Sequence, residues 1–239
     1  PERVSREELF AEVNEGLEAS RQFLAMSVLS AIVAAIGLLR DNVAVIIGAM
    51  VIAPLLGPNV GIALATTLGD LAMAGRAVRK ALLGVGIAFL LSLGMGLLVG
   101  VDPEGHEIAS RLKVDLSDVA LALTAGAAGS LAFSGGTAGA LIGVMVAVAL
   151  MPPLVASGLL LGAGMPVAAG GAGLLFGVNL VSINLAGVLT FLAQGIRPRE
   201  HYKLSRVRRL VQKAVILWLL MLVLLVVLLW QADFDLWPF

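Results

Sequence analysis

From Val119 to Ile196 the chain runs 78 residues without one Asp, Glu, Lys, Arg or His. A helix crosses a bilayer in roughly 20 apolar residues, so this tract alone has room for several crossings. The whole chain agrees: 59% of its 239 residues are hydrophobic, 13% are charged, and mean hydropathy is +1.02. A soluble domain is nearer half apolar and a quarter charged. Gly is abundant at 28 residues, and small residues let membrane helices pack closely. The fold class is an all-α polytopic membrane protein.

Apolar runs between charges predict seven spans, at residues 23–39, 43–69, 81–101, 119–133, 138–164, 167–194 and 214–230. Residues 1–22 read as a cytoplasmic amphipathic lead-in helix, with Ser5 and Glu8 as a capping box and Val4, Leu9, Val13 and Leu17 as a sparse apolar stripe. These first residues lack the basic and then apolar pattern of a signal peptide. Thirteen of the 16 Lys and Arg residues fall near residues 3–21, 76–80 and 197–213. With seven spans and a cytoplasmic N-terminus, all three groups lie on the cytoplasmic side, as the positive-inside rule requires. Arg40, Arg111 and Lys113 then lie outside among acidic residues, and so does the tail with Asp233 and Asp235. The expected location is the cytoplasmic (inner) membrane, C-terminus outside.

Shifted by 95 residues, the chain aligns with itself without a gap. Ile47-Gly48-Ala49-Met50-Val51 lies over Ile142-Gly143-Val144-Met145-Val146, and Pro58 falls on Pro153. In the polar connectors, Gly100, Pro103, His106, Ser110 and Arg111 fall on Gly195, Pro198, His201, Ser205 and Arg206. Residues 40–111 show 19 identities in 72 positions, where chance in so apolar a chain gives roughly seven. An offset of three spans is odd, so the second copy is inverted. The expected organisation is a repeat with its connector at 23–111, an inverted copy at 112–206, and a seventh span with tail at 207–239. Inverted repeats recur in transporters, where exchange of repeat conformations opens the site to either side.

Span two carries Ala53-Pro54-Leu55-Leu56-Gly57-Pro58-Asn59 at its middle, and its repeat mate carries Leu150-Met151-Pro152-Pro153-Leu154. Proline removes a backbone donor and clashes with the carbonyl one turn back. Two matched helix breaks near the midplane are therefore expected, and interrupted segments at corresponding places of inverted halves point to a transport site. Asn59 adjoins the first break; Asn179, Ser182 and Asn184 lie near the middle of span six. Together with Pro54, Gly57, Pro58, Pro152 and Pro153 they are the candidate lining of an ion or solute pathway. Ser27, Ser30 and the turn Ser134-Gly135-Gly136-Thr137 add polar groups that can bond between helices. Gly48, Gly57 and Gly143 are expected to allow close backbone approach.

No ionisable residue falls near mid-bilayer, which argues against a carboxylate proton relay. Asp70 is expected to pair with Arg76 at the cytoplasmic end of span two. A permeant species would be held by carbonyls, helix ends and amides, which suits a cation, a small anion or a neutral solute. Enzyme chemistry is not indicated. His106 and His201 sit in connectors on opposite faces, no span holds a Ser–His pair or H-E-x-x-H, and Cys is absent. No metal site or cofactor is expected. The connectors, with His106, Arg111, His201 and Arg206, read as capped turns in which His satisfies backbone groups. A net charge of +0 gives no reason to expect nucleic acid.

With Gly48-Ala49-Met50, Pro54 and Pro58 in view, and Arg40-Asp41-Asn42 and Arg6-Glu7-Glu8-Leu9-Phe10 beside them, the chain resembles the bacterial and archaeal membrane family called domain of unknown function 389. The resemblance implies a helical membrane fold, and in many members an extra soluble region; it implies no substrate and no catalytic residue. The expected function is a membrane transporter or channel for a small ion or solute. Homo-oligomerisation is expected through the Leu- and Val-rich seventh span, and the partners are the lipid bilayer and the permeant species. The alternative is a structural or signalling membrane module whose breaks only pack together.

Overall fold

A computed structural model describes residues 6–136, 140–196, 211–224 and 227, and all statements of structure concern these. Ser5 of the expected capping box, Thr137, His201, Arg206 and the acidic tail lie outside them. The described residues form helices and contain no strand: α1 (Arg6–Glu15), α2 (Arg21–Leu39), α3 (Val43–Ile52), α4 (Leu56–Leu68), α5 (Leu71–Leu98), α6 (His106–Ala109), α7 (Leu116–Ser134), α8 (Ala140–Gly162), α9 (Pro166–Ala193) and α10 (Val211–Leu224). Five of these helices are long and apolar enough to cross a membrane, and α3 with α4, bent by 54° at their junction, make a sixth crossing if taken as one. The chain is a multi-pass helical membrane protein.

Local chemistry sets the helix ends. Ser20, Asn42 and Asp70 accept hydrogen bonds from the backbone N–H three residues on, at Phe23, Val45 and Met73, each satisfying a donor that a helix start leaves free. Asp70 is therefore the N-cap of α5 and makes no ion pair with Arg76; that arginine instead donates to Asn14 Oδ1 at 2.6 Å. The helix α5 starts well before residue 81, because Asp70 caps it and Arg76, Arg79 and Lys80 are good helix formers. Near its start, Lys80 Nζ donates to the Gly16 and Glu18 carbonyls at 2.5 and 2.9 Å and lies 4.4 Å from the Phe23 ring centre. The lead-in is thereby tied to the bundle. Its stripe of Leu9, Val13 and Leu17 is buried with Val60, Ala63 and Ala77.

The bundle core is made of small and branched residues from α2, α3, α5, α8 and α9. Gly48, Gly57 and Gly143 are not its points of close approach: a Cβ at Gly48 or Gly57 would meet nothing within 4 Å, and one at Gly143 would make only ordinary contact with Leu56. The tight crossings lie elsewhere. A Cβ at Gly96 would collide with the Leu159 carbonyl, at Gly158 with Ser92 Oγ, and at Gly162 with the Leu93 carbonyl, so α5 and α8 touch backbone to backbone. Gly126 against the Ile183 carbonyl does the same for α7 and α9. Gly158 and Gly162 are spaced as in the G-x-x-x-G motif that membrane helices use for such contacts.

The helices α2 and α7, and likewise α5 and α9, have first and last residues that differ by 95 at both ends. The counterpart of α3 and α4 is the single helix α8.

Candidate functional site

The interruption of span two begins with Pro54. The residue before a proline is pushed out of the helical region, and Ala53 accordingly has φ −68° and ψ 120°. Pro54 brings no N–H for the Met50 carbonyl, which takes the Ala53 N–H at 3.4 Å instead. The neighbouring Ala49 carbonyl accepts from Ser30 Oγ of α2 at 3.0 Å. A new helix starts at Leu56, and Pro58 falls in its first turn, where a missing N–H costs little. The break is thus residues 53–55, and Gly57, Pro58 and Asn59 belong to the opening of α4.

The second expected break is absent. α8 continues from Ala140 to Gly162 with Pro152 and Pro153 inside it. Pro153 deprives the Ala149 carbonyl of its backbone donor, and Asn179 of α9 supplies one, Nδ2 donating to Ala149 O at 2.8 Å. A neighbouring side chain has replaced the missing N–H, as membrane helices need when proline frees a buried carbonyl. The two interruptions do not meet as a pair at the midplane.

Asn59 and Asn184 are brought together. Asn184 Nδ2 donates to Asn59 Oδ1 at 2.8 Å and to the Leu180 carbonyl at 2.8 Å. Asn59 Nδ2 donates to the Leu55 carbonyl at 2.8 Å, just at the break. Because carbonyls only accept, these bonds fix which end of each amide is nitrogen. Both residues are buried, as are Asn179 and Ser182. Among the described residues, Asn179 Oδ1, Ser182 Oγ and Asn184 Oδ1 take no hydrogen bond. Asn184 and Ser182 lie on different faces of α9, two residues apart, so the four polar side chains do not form one cluster.

Two cavities adjoin the Asn59–Asn184 pair. One, of about 230 Å³, is lined by both asparagines and by Pro58, Phe23, Phe176 and Trp218 among others. The second, of about 10 Å³, lies against Asn59, Ser130, Gly126 and Gly129, close to the size of a single water. Pro54, Gly57, Pro152, Pro153, Asn179 and Ser182 line neither. The aromatic lining was not legible in the sequence, because Phe23, Phe176 and Trp218 come from three helices with no motif in common.

The connector around His106 is a turn held by carboxylates. Asp41 Oδ1 accepts from the Glu107 N–H at 2.6 Å, and Asp102 Oδ1 from the Glu104 N–H at 3.0 Å. These caps do what had been expected of His106. Arg111 pairs with Glu107 one turn back at 2.9 Å and also bonds its carbonyl. Asp41 reaches α6 from a left-handed conformation, φ 51°. The result ties the α2–α3 turn to the connector, a structural task far from the cavities. No group of three or more His, Cys, Asp and Glu placed to hold a metal occurs among the described residues.

Comparison with known proteins gives two matches. The family model described as domain of unknown function, DUF389, matches residues 50–185. The uncharacterized protein MJ0678 of Methanocaldococcus jannaschii is 36% identical over 228 residues, covering 95% of this chain and 71% of the relative. No solved structure matches.

Proposed function

This chain belongs to the family described as domain of unknown function 389, DUF389, and from that footing we propose that it passes a small ion or solute across the cytoplasmic membrane. The observation that carries the reading is the buried Asn59–Asn184 bridge beside the broken helix, with a cavity of about 230 Å³ on it and a smaller void next to Asn59. A bundle held together by packing alone has no use for empty space beside a buried amide pair, and irregular backbone at membrane depth belongs where it lines a cavity.

The chemistry narrows the class of permeant. Asn184 spends both amide N–H donors on protein acceptors, while Asn59 and Asn179 each spend one. Of the two asparagines lining the larger cavity, Asn184 has its Oδ1 left without a partner among the described residues. Uncharged amides in an otherwise apolar wall give an anion no counter-charge and suit a neutral solute best.

The finer architecture goes with this reading: seven spans with α10 as the start of the last, an N-terminus in the cytoplasm, and two inverted three-span repeats. The repeat is supported by the helix bounds that match at the same offset of 95 as the sequence identities. A homo-oligomer is part of the proposal, with α10 offering Ile216, Leu217, Leu220, Val223 and Leu224 on exposed positions.

The test is flux. Purified chain in lipid vesicles is challenged with gradients of KCl, NaCl, urea and glycerol, and volume change is followed by light scattering. At least one cation or neutral-solute gradient should dissipate faster than in protein-free vesicles, and Asn184→Leu should remove the excess. Rates equal to protein-free vesicles for every gradient would overturn the proposal.

A further inference from the structure

Three cations stand near the start of α5, and two of them are engaged. Arg76 donates to Asn14 Oδ1, and Lys80 Nζ is held by the Gly16 and Glu18 carbonyls. Arg79 is exposed, and among the described residues its side chain makes no ion pair and no hydrogen bond. It lines one end of a shallow, otherwise apolar groove that runs along the outer face of α5 from Gly75 to Leu90. The groove measures about 590 Å³, several times the roughly 150 Å³ that holds benzene, so it has room for a chain.

The spacing of Gly75, Arg79, Leu82, Gly86 and Leu90 by threes and fours puts them on one helix face. Leu82 and Leu90 stand exposed on it, and the glycines form its floor. Glycine is a poor helix former, and a Cβ at Gly75 or Gly86 would meet nothing within 4 Å. Close approach of another described helix therefore accounts for neither. Length sets the depth of the groove in the membrane. No charged residue follows Lys80 in α5, and from there to Leu90 the helix rises about 15 Å. That is the hydrocarbon depth of one leaflet, half of roughly 30 Å. The groove thus extends from the cations at the interface through one leaflet.

Charge decides what covers it. A second copy inserted the same way round, meeting α5 with α5, would set Arg79 against its own counterpart. Meeting it with α10 would bring Lys213 instead. Val215 packs on the same cluster as Leu9 and Leu17, so the start of α10 lies at the Arg79 end of the bundle, and α10 holds no acidic residue. Either pairing puts cation on cation. A lipid phosphate reverses the sign and takes the bidentate bonds that a guanidinium offers. We infer that this face of α5 binds one anionic phospholipid, its phosphate on Arg79 and one acyl chain lying in the groove past Gly86. A zwitterionic lipid has the same phosphate with a cation beside it, and binds more weakly. This site stands apart from the proposed passage and does not depend on it.

The probes are dioleoylphosphatidylglycerol and dioleoylphosphatidylcholine, offered in equal amounts to the full chain in detergent, with bound lipid counted by native mass spectrometry. One phosphatidylglycerol should be retained about five-fold over phosphatidylcholine, the preference expected of one basic residue at a lipid surface. Arg79→Gln should bring the ratio near one. Arg76→Gln removes the same charge from a residue already bonded to Asn14 and should leave the ratio as it was. Gly86→Leu has room to fold, since an added Cβ meets nothing, and by filling the groove it should cut retention of both lipids. A ratio near one in the unaltered chain would overturn the inference, as would equal losses in Arg76→Gln and Arg79→Gln, which would mean net charge alone. Retention unchanged in Gly86→Leu, or phosphatidylglycerol displaced by excess glycerol 3-phosphate, would mean an anion site that owes nothing to the groove, and would overturn it too. So would a dimer that Gly86→Leu converts to monomer, because the groove would then belong to a second copy.

Discussion

Span two and α8 occupy matching places in the chain and both carry two prolines, yet one is broken and the other is continuous. The difference lies in where the prolines fall. Pro58 and Pro153 are the matched pair at the offset of 95, and neither breaks its helix: one sits in a first turn and the other has its orphaned carbonyl served by Asn179. The residue that does break the chain, Pro54, has Ala149 as its counterpart. The same Ala149 supplies the carbonyl that Asn179 caps. A proline in a membrane helix is thus an opportunity for a break, and the neighbours decide whether it is taken.

Substitutions can exchange the characters of the two regions. The largest effect is expected from Ala149→Pro, which gives α8 the residue its counterpart has. A proline there removes a further N–H from a buried helix at a cost of about 3 kcal/mol or more, and the thermal midpoint of the purified chain should fall steeply, with a kink appearing in α8. Asn179→Leu is next. It leaves the Ala149 carbonyl without its donor and should cost about 1–2 kcal/mol, seen as a lower unfolding midpoint in detergent. Ser30→Ala removes the side-chain donor to the Ala49 carbonyl, close to where the chain leaves the helix, and should cost about 0.6 kcal/mol. If Ser30→Ala proved as damaging as Asn179→Leu, the two regions would be alike in how they rely on side-chain donors. Smallest in stability is Pro54→Ala, which restores an N–H for Met50 and permits a continuous helix. Its readout is geometric: spin labels at Asn42 and Gly69 should move apart as the 54° bend relaxes.

Much of this architecture was legible in the sequence. Helix existence followed from the charge-free runs, and the repeat offset was written in the connectors, where composition is not restricted to apolar residues. The first break could be read from Pro54, because the geometric conflict of proline with a helix is local. The second could not, since its repair depends on Asn179 arriving from another helix, a long-range contact. The alignment did hold a clue, in that Pro54 falls on an alanine. Close approach was misplaced for a similar reason. Any glycine permits it, and only the partner helix determines whether Gly48 or Gly162 is the one used. Asn59 and Asn184 were readable as candidates, but their pairing across 125 residues was not.

The central claim is that Asn59, beside the break, borders a space that solutes enter, while its counterpart Leu154 is packed shut in the core. Asn59 and Leu154 hold the same position in the two regions, and both are buried, Leu154 within the core. Since the chain contains no Cys, the single substitutions N59C and L154C, with D102C as an exposed control, allow a direct measurement with a membrane-impermeant maleimide on reconstituted protein. The account predicts labelling at position 59 and at the control, and none at 154. Labelling of the control alone, or equal labelling at 59 and 154, would contradict it.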